Sequence, residues 1–470
     1  MRCQVVKLTG GFPASGRTLH RQLLTLLWIG LQVLTCVSAT RAEVLATANA
    51  EEYVKLDMKF DFNFMAHGSR WANDSLNDPR LFSTEPQNSG AVGYITSRTD
   101  LRVGKQVAGR LTATGRYRTG YPESGENLRL LEGWASYSDA DQIQRIIVGK
   151  QKIKWSQDTT FHLLDLIGPA NARRSSMGLN EYDVYQKEGA VAIRKMGSSH
   201  GLRWDLVLAD AAANQVRPGN WQLAARLSSN LAGSDIGFLF ERTRGYSVRS
   251  GLSFSRNLSE DLGIYIEALH AGEREIPVLE QGGAAIPVSP SLTLPALSRF
   301  ADSLPKRETN QMLVSLRRNI EDFALTEVSY FYNGNGFGAG QWRDYLARLG
   351  TARSTYNQPE FLSFYPNAAA NPNGAFLGDA AGRGAWMLMR RHYINLRIDT
   401  LENFTFGRLE ANLVTGMEDG GSTVMLTLRR KLFDRVTLSP FVIGTFAPKG
   451  SESGTIPYSI TFGFGLHSSF

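Results

Sequence analysis

Apolar and polar residues alternate with a period of two through most of this chain, and that alternation limits the folds open to it. Successive side chains of a β-strand point to opposite faces, so such a segment has one apolar and one polar face. The segment Lys55 to Phe64 has leucine, methionine or phenylalanine at every second position, with lysine, aspartate or asparagine between them. Residues from Tyr458 towards the C-terminal Phe470 repeat the pattern. The alternation predicts an all-β protein whose sheet separates an apolar from a polar environment.

Sixteen further candidate strands lie between these two segments. Their approximate bounds are 90–103, 106–120, 127–138, 143–154, 181–196, 200–211, 219–230, 234–243, 247–257, 261–271, 307–320, 323–334, 386–399, 403–416, 421–432 and 435–446. Eighteen strands leave about 24 residues for each strand with its connection, which suits a tilted membrane-spanning strand of about ten residues. We therefore expect one domain, residues 43–470, folded as a transmembrane antiparallel β-barrel of 16–18 strands.

The lengths of the connections support a membrane barrel over a soluble sandwich. The four long connections are 65–89, 155–180, 272–306 and 335–385, and all follow odd-numbered strands. Connections after even-numbered strands are short, such as Gly104-Lys105 and Phe433-Asp434. Outer-membrane barrels have long outer loops at one end and tight periplasmic turns at the other.

One proline conflicts with the strand pattern. Most prolines fall in the predicted loops, but Pro440 lies inside the seventeenth candidate strand. Proline has no N–H to donate to a sheet. Pro440 therefore predicts either a bulge in that strand or a barrel of sixteen strands.

The N-terminal residues 1–42 are predicted to be a secretory signal peptide. A basic segment without acids precedes an apolar stretch from Leu23 to Val37, and small residues allow cleavage after Ala39 or Ala42. Cleavage after Ala42 removes five of the basic residues and both cysteines. The remaining 46 basic and 44 acidic residues are nearly balanced, so the basic pI of the whole chain does not indicate a nucleic-acid partner.

The polar face of a barrel lines its lumen, and on this face basic residues outnumber acids. The basic candidates for pore lining are Arg98, Arg102, Arg110, Arg116, Arg118, Lys150, Lys152, Lys154, Arg203, Arg226, Arg249, Arg317, Arg391, Arg397, Arg408, Arg429 and Lys431. The acids assigned to the same face are chiefly Asp57, Asp61, Asp100, Glu132, Glu267 and Glu410. Such a lumen favours anions, unless its charges pair with one another for packing.

Two of the long loops carry more apolar residues than a solvated loop needs. The loop 155–180 contains Trp155, Phe161, Arg173 and Arg174, and we expect it to fold into the lumen as a constriction. In the loop 335–385, Trp342, Tyr345, Leu346 and Leu349 recur at helical spacing beside Arg343 and Arg348. A cap on the barrel and an inserted constriction both explain that helix.

One local motif resembles a known family. The run Val148-Gly149-Lys150-Gln151-Lys152-Ile153-Lys154-Trp155 is followed by Leu164-Asp165 and Gly168-Pro169-Ala170-Asn171. This pattern resembles large Gram-negative porin-like barrels and, more loosely, alginate-export porins. The match covers about 25 residues, and Ser156 stands where the family has glycine. The resemblance implies the barrel architecture and a transport role, without a substrate.

Enzymatic and metal-dependent functions find no support in the sequence. The histidines have no orienting carboxylate at a suitable spacing, no histidine pair has metal-ligand spacing, and the mature chain lacks cysteine. We therefore expect no catalytic residues, no metal and no cofactor.

These patterns predict an integral protein of the bacterial outer membrane that conducts small hydrophilic, preferentially anionic, solutes. Two alternatives stay open: the barrel of a polysaccharide export system, alginate-like and carrying a polyanion, and a non-conducting surface-binding or structural barrel. The expected partners are outer-membrane lipid, lipopolysaccharide and the barrel-assembly machinery, which would recognise the last strand ending in Phe470.

Overall fold

A computed structural model describes most of the chain that follows residue 53. The described residues are 54–71, 89–120, 125–158, 160–167, 189–210, 221–272, 279–282, 286–289, 292–294, 297–300, 308–321, 323–356, 388–400, 407–455 and 458–470. The predicted signal peptide, 1–42, and two predicted constriction residues, Arg173 and Arg174, lie outside them. Of Arg118, only the backbone is described.

Eighteen long strands form one sheet. They are β1 (Val54–Trp71), β2 (Ser89–Val103), β3 (Val107–Gly120), β4 (Gly125–Ser138), β5 (Gln144–Gln151), β6 (Ala190–Ser199), β7 (Leu202–Ala209), β8 (Gln222–Leu231), β9 (Ser234–Thr243), β10 (Arg249–Asn257), β11 (Leu262–Ala271), β16 (Thr309–Ile320), β17 (Ala324–Asn333), β18 (His392–Thr400), β19 (Arg408–Gly416), β20 (Ser422–Phe433), β21 (Val436–Phe446) and β22 (Tyr458–Ser469). The connection after β11 contains four short strands, β12 (Leu279–Gly282), β13 (Ile286–Ser289), β14 (Leu292–Leu294) and β15 (Leu297–Phe300). A helix, α1 (Ala339–Tyr356), follows β17.

The sheet closes on itself. Each long strand pairs antiparallel with the preceding and following long strands, and β22 pairs with β1. At this seam the Phe60 N–H donates to the Phe470 carbonyl over 3.0 Å, and the Phe470 N–H donates to the Phe60 carbonyl over 2.9 Å. Closure removes the free edges that an open sheet would expose to lipid. The prediction of an antiparallel barrel is confirmed, with eighteen strands.

The two faces of the barrel differ as a membrane barrel requires. In β7, Leu202, Leu206 and Leu208 are more than 40% exposed on the outside, while Asp205 and Val207 between them are buried. Leucine, isoleucine, valine and phenylalanine dominate the exposed apolar side chains of the other strands as well. An apolar exterior on a closed sheet is the structure of an integral outer-membrane protein. Within the described residues, no helix has the length and apolarity needed to cross a bilayer.

Pro440 neither ends β21 nor reduces the strand count. It pairs with Phe464 of β22 in an uninterrupted register. Towards β20, however, the ladder passes from the Thr427–Phe441 pair to the Arg430–Leu438 pair without a partner for Pro440. The missing N–H therefore interrupts the hydrogen bonds on one side only. A bulge does occur in this strand pair, nearer the turn, between Lys431 and Phe433.

Several predicted connections have different bounds. Residues 65–71, predicted as loop, continue β1 because they pair with β22. The turn predicted at 197–199 lies at His200 and Gly201, where both residues have a positive φ. The tight turn predicted at 401–402 lies outside the described residues, between β18, which ends at Thr400, and β19, which begins at Arg408.

We predict that Gly463→Ala destabilises the barrel. An added Cβ at Gly463 would lie 2.2 Å from the Ala66 carbonyl oxygen and 2.8 Å from the Phe441 ring. Overpacking of this kind costs about 1–3 kcal/mol. Gly93→Ala is the matched control, because a Cβ there meets nothing within 4 Å. Thermal unfolding followed by the gel mobility shift of the folded barrel should show a lower midpoint for Gly463→Ala alone. Equal midpoints for the two variants would contradict this packing.

Candidate functional site

The chain leaves the barrel wall at the end of β5 and turns into the lumen. Gly149 has φ +121°, and a Cβ there would lie 2.2 Å from the Gly133 carbonyl oxygen, so only glycine fits. The Gln151 side chain then donates to the carbonyls of Ile147 and Ala192 over 3.3 and 3.2 Å. We call residues 152–167 the inner loop.

The apolar side of the inner loop packs against the inside of the barrel. Phe161 stacks on Phe331 of β17 with ring centroids 4.8 Å apart. The buried loop residues in this cluster are Ile153, Trp155, Phe161, Leu163, Leu164, Leu166 and Ile167. Their wall neighbours are Ala190, Ala192, Val207, Ala209, Ala224, Leu239, Leu269, Leu313, Phe331, Tyr393 and Val414. The loop therefore covers the wall from β6 to β19.

Hydrogen bonds to wall side chains fix the loop along this path. The Trp155 indole donates to Asp205 over 2.8 Å, and the Ser156 hydroxyl donates to Glu267 over 2.7 Å. Asp158 accepts from the hydroxyls of Ser315 and Ser329 over 2.9 and 3.3 Å. The wall residues in these bonds lie near the middle of β7, β11, β16 and β17. The loop thus crosses the barrel at mid-height.

Two aspartates of the loop also hold its own backbone. One oxygen of Asp165 accepts from the N–H groups of Trp155 and Ser156 over 2.5 and 2.8 Å. One oxygen of Asp158 accepts from the N–H groups of Thr160 and Phe161 over 2.6 and 2.7 Å. These bonds satisfy backbone groups that a buried loop would otherwise leave unpaired.

Most charges along the covered part of the wall form ion pairs between neighbouring strands. Each pair places an arginine beside an acid at 2.5–3.1 Å, except for a closer Arg249–Glu241 contact. The pairs are Arg194–Asp205, Arg249–Glu241, Arg317–Glu327 and Arg408–Asp399, together with Glu410 at the edge of the covered wall, which pairs with Arg429 of β20. In this part of the wall, the basic and acidic side chains therefore neutralise one another.

The wall from β2 to β6 has a different charge balance. A cavity of about 340 Å³ opens there towards the lumen. Its charged lining consists of Arg98, Arg102, Arg110, Arg145, Lys152, Arg194, Asp100 and Glu132. We call this cavity the basic recess. Six cations face two carboxylates, so the lining has four more positive than negative charges.

Hydrogen bonds divide the cations of the recess into two groups. Asp100 accepts from Arg98 over 2.7 Å and from Arg110 over 2.6 Å. Arg102 and Arg145 make no ion pair with any carboxylate of the described residues; the Arg145 guanidinium donates to the neutral Ser136 hydroxyl over 2.9 Å. These two guanidiniums keep their positive charge available to the lumen.

Trp134 holds two of these arginines in place. The guanidiniums of Arg110 and Arg145 lie 5.5 and 5.4 Å from the Trp134 ring centroid. Cation–π contact of this kind adds about 0.5–2 kcal/mol and restricts the side chains. The recess is therefore a preformed arrangement of donors.

The predicted pore-lining residues occupy five kinds of position: the recess, the paired wall, the barrel ends, other inward positions of strands, and the inner loop. Arg98, Arg102, Arg110 and Lys152 line the recess, while Arg317, Arg397, Arg408 and Arg429 belong to the paired wall. At the two ends, Arg203 pairs with Asp235 over 2.9 Å, and Arg391 donates to the Gly336 carbonyl over 3.3 Å. Arg116 and Arg226 lie on the inward-facing side of β3 and β8. Lys154 is an exposed residue of the inner loop.

Lys150 does not lie with the lumen-facing residues. It is in phase with Ile146 and Val148, which are exposed on the outer face, because the inward positions of β5 are Arg145, Ile147 and Gln151. The alternation of β5 indicates that the Arg145 side chain points into the lumen. Arg145, Arg194 and Trp134 are not among the residues predicted to line the pore, although each lies at an inward position of its strand.

His162 contributes no charge to this region at neutral pH. Burial lowers its pKa, Asp165 at 3.6 Å raises it, and the nearby Lys154 lowers it again. The net effect is to lower the pKa of His162 from its usual value of 6.5. The cations of the inner loop that face the lumen are accordingly lysines.

The helix α1 packs on connections at the long-loop end of the barrel. Trp342, Tyr345 and Leu349 are buried, and the Trp342 indole donates to the Gly450 carbonyl over 2.8 Å. Glu452 in the same β21–β22 connection accepts from the Met389 N–H over 2.6 Å and from the Tyr393 hydroxyl. A cap on the barrel and an inserted constriction are both predicted for this helix, and its contacts with the connections match the cap.

The described part of the chain contains no group of three His, Cys, Asp or Glu residues placed to hold a metal ion.

Comparisons with known proteins find structures of similar shape. No family model matches the sequence, and no curated protein matches it. OccK11 (OpdR) of Pseudomonas aeruginosa is 9% identical, with 89% of this chain and 95% of that chain covered and a TM-score of 0.46. OmpF of Salmonella typhi, in a complex with daunomycin, is 8% identical over 88% and 98% of the two chains, with a TM-score of 0.41. A triple mutant of the Rhodopseudomonas blastica porin is 8% identical over 88% and 100%, with a TM-score of 0.42. At these identities and TM-scores, the likeness transfers no activity to this chain.

We predict that deleting residues 158–176 raises the single-channel conductance in planar bilayers, because the deletion removes most of the inner loop from mid-height. Asp158→Asn is the matched control, since an amide of the same size can still accept the two backbone N–H bonds. Its conductance should stay close to that of the wild type. Unchanged conductance of the deletion variant would show that the loop does not narrow the pore.

We also predict a pH-dependent packing of the β21–β22 connection. Burial raises the pKa of Glu452 from 4.5 to about 7, against the opposing effect of its two hydrogen bonds. The folded state therefore holds a proton that the unfolded state has lost between pH 4.5 and 7, so stability falls as the pH rises through this window. Limited proteolysis of this connection should be faster at pH 8 than at pH 5. Glu452→Gln should remove most of the difference, and an undiminished difference in that variant would exclude Glu452 as its source.

Proposed function

We propose that this outer-membrane β-barrel is a passive channel for small hydrophilic solutes with a preference for anions. The observation that carries the proposal is the asymmetric charge of the lumen. Most charges along the covered wall are paired, whereas the basic recess has an excess of cations, including Arg102 and Arg145. A channel wall with excess positive charge raises the local anion concentration and lowers the barrier to anion entry.

The position of the inner loop is the reason to expect that only small solutes pass. It lies at mid-height and is held by both apolar packing and hydrogen bonds to Asp205, Glu267, Ser315 and Ser329. A loop fixed in this manner leaves the β20–β5 side of the lumen as the path for solutes. Because the fixed loop occupies part of the lumen, it favours small solutes over the export alternative.

We propose that the partners of the barrel are outer-membrane lipid, lipopolysaccharide and the assembly machinery. Outer-membrane lipid surrounds the apolar exterior. We propose that the last strand is the segment that the assembly machinery recognises: Phe470 directly follows β22, packs on Phe62 at 5.9 Å, and lies under the Arg435 guanidinium at 5.8 Å. Residues 1–42 are proposed to direct export and to be removed.

Anion selectivity should depend on the unpaired arginines. In planar bilayers with a KCl gradient, the wild-type reversal potential should indicate preference for chloride. The double variant Arg102→Gln/Arg145→Gln should move the reversal potential towards the value of a non-selective pore, because it removes two positive charges from the lumen.

Lys195→Gln is the matched control for this experiment. Lys195 is a strand cation on the outer face, where its ammonium lies 5.6 Å from the Trp204 ring centroid. Its loss should not change selectivity. Cation selectivity of the wild type would refute the anion preference, and absence of any conductance would refute the channel and favour a structural or surface-binding barrel.

A further inference from the structure

The basic recess has the properties of a binding site in addition to those of a charged wall. Arg145 is half-buried, and its Nε has no hydrogen-bond acceptor among the described residues. The neighbouring basic groups that act on it are Arg194, Arg102 and Arg110. A buried N–H without an acceptor and a cluster of like charges are both unfavourable. An anion in the recess would relieve both.

The placement of the donors indicates the shape of that anion. Arg102 is on β2 and Arg145 is on β5, so two strands separate them, yet both side chains line the same cavity. A planar carboxylate has two oxygens and satisfies one guanidinium in a bidentate contact. A tetrahedral oxyanion directs oxygens to several sides and can accept from converging donors on different strands.

The charge of the recess indicates the charge of the anion. Asp100 is already shared by Arg98 and Arg110, and the Arg194 guanidinium binds Asp205 over 2.5 Å. Arg102 and Arg145 are left without a carboxylate in the described structure. Two uncompensated guanidiniums favour a dianion over a monoanion of similar size.

We infer that the basic recess is a saturable binding site for one dianionic tetrahedral oxyanion, the chemistry shared by sulfate, inorganic phosphate and phosphate monoesters. This inference rests on the proposed function in one respect: the anion reaches the recess through the lumen. A bound dianion would lie on the path of chloride and lower its current.

The test uses sulfate, whose charge does not change near neutral pH. Sulfate added to the refolded mature protein in planar bilayers should inhibit the chloride current with a saturable dependence on concentration. Acetate at the same ionic strength should inhibit much less. Arg102→Gln and Arg145→Gln should each raise the half-inhibiting sulfate concentration about ten- to hundredfold, since each removes charge-assisted donors. Lys195→Gln should leave it unchanged.

A second measurement separates this inference from the proposed function. Equilibrium dialysis of radioactive sulfate against the detergent-refolded barrel reports binding without any need for conduction. Binding without conductance would support the site and refute the channel. Conductance with neither sulfate block nor sulfate binding, or equal inhibition by acetate, would overturn the site and leave the channel intact. Arg102 is exposed, so Arg102→Gln should fold even if Arg145→Gln does not.

Competition experiments identify the source of the oxyanion. Inorganic phosphate and glycerol phosphate are each titrated against bound sulfate. Displacement by both ions indicates a recess that admits a substituent, and therefore phosphate monoesters. Displacement by inorganic phosphate alone indicates the free ion. Displacement by neither would contradict a site for tetrahedral oxyanions in general.

Discussion

Every part of this structure depends on the need to pair backbone N–H and C=O groups inside a membrane. Lipid offers no hydrogen-bonding partners, so a sheet in a bilayer must have no free edge. The chain meets this condition by pairing its first and last strands, with reciprocal bonds between Phe60 and Phe470 at the seam. Closure then separates an outer face, which contacts lipid, from an inner face, which lines the lumen. Because consecutive strands are antiparallel, connections after odd-numbered strands lie at one end of the barrel.

The same constraint explains why much of the fold could be predicted from the sequence. The period-two pattern is a property of each strand's own sequence. All eighteen strand positions can therefore be located without knowing which strands pair with one another. The pattern does not state where a strand stops. Alternation continued through Lys152 and Lys154 predicts a lumen position for Lys150, whereas β5 ends at Gln151 and the chain then turns inward. The left-handed Gly149 marks this change, and glycine alone could not distinguish it from an ordinary strand residue.

The charge pattern of the site was less predictable, because it depends on register between strands. The alternation within single strands does not indicate that Glu241, Glu327 and Asp399 neutralise arginines of the wall. Each of these acids lies beside an arginine only after neighbouring strands are aligned. The unpaired state of Arg145 likewise follows from its surroundings on β4 and β6. A count of bases and acids therefore overestimates the free charge of the covered wall and overlooks the recess.

The inner loop links these two parts of the lumen. Alanine and valine point inward at Ala192, Val207 and Ala224, positions that would be unfavourable against water in an open pore. Their small side chains leave room for Trp155 and Leu164, and the loop in turn removes the apolar wall from water. The buried surface and the anchoring carboxylates Asp205 and Glu267 thus fix the loop on one side of the barrel. The opposite side keeps its charged residues uncovered, so the position of the loop determines which cations a passing solute meets.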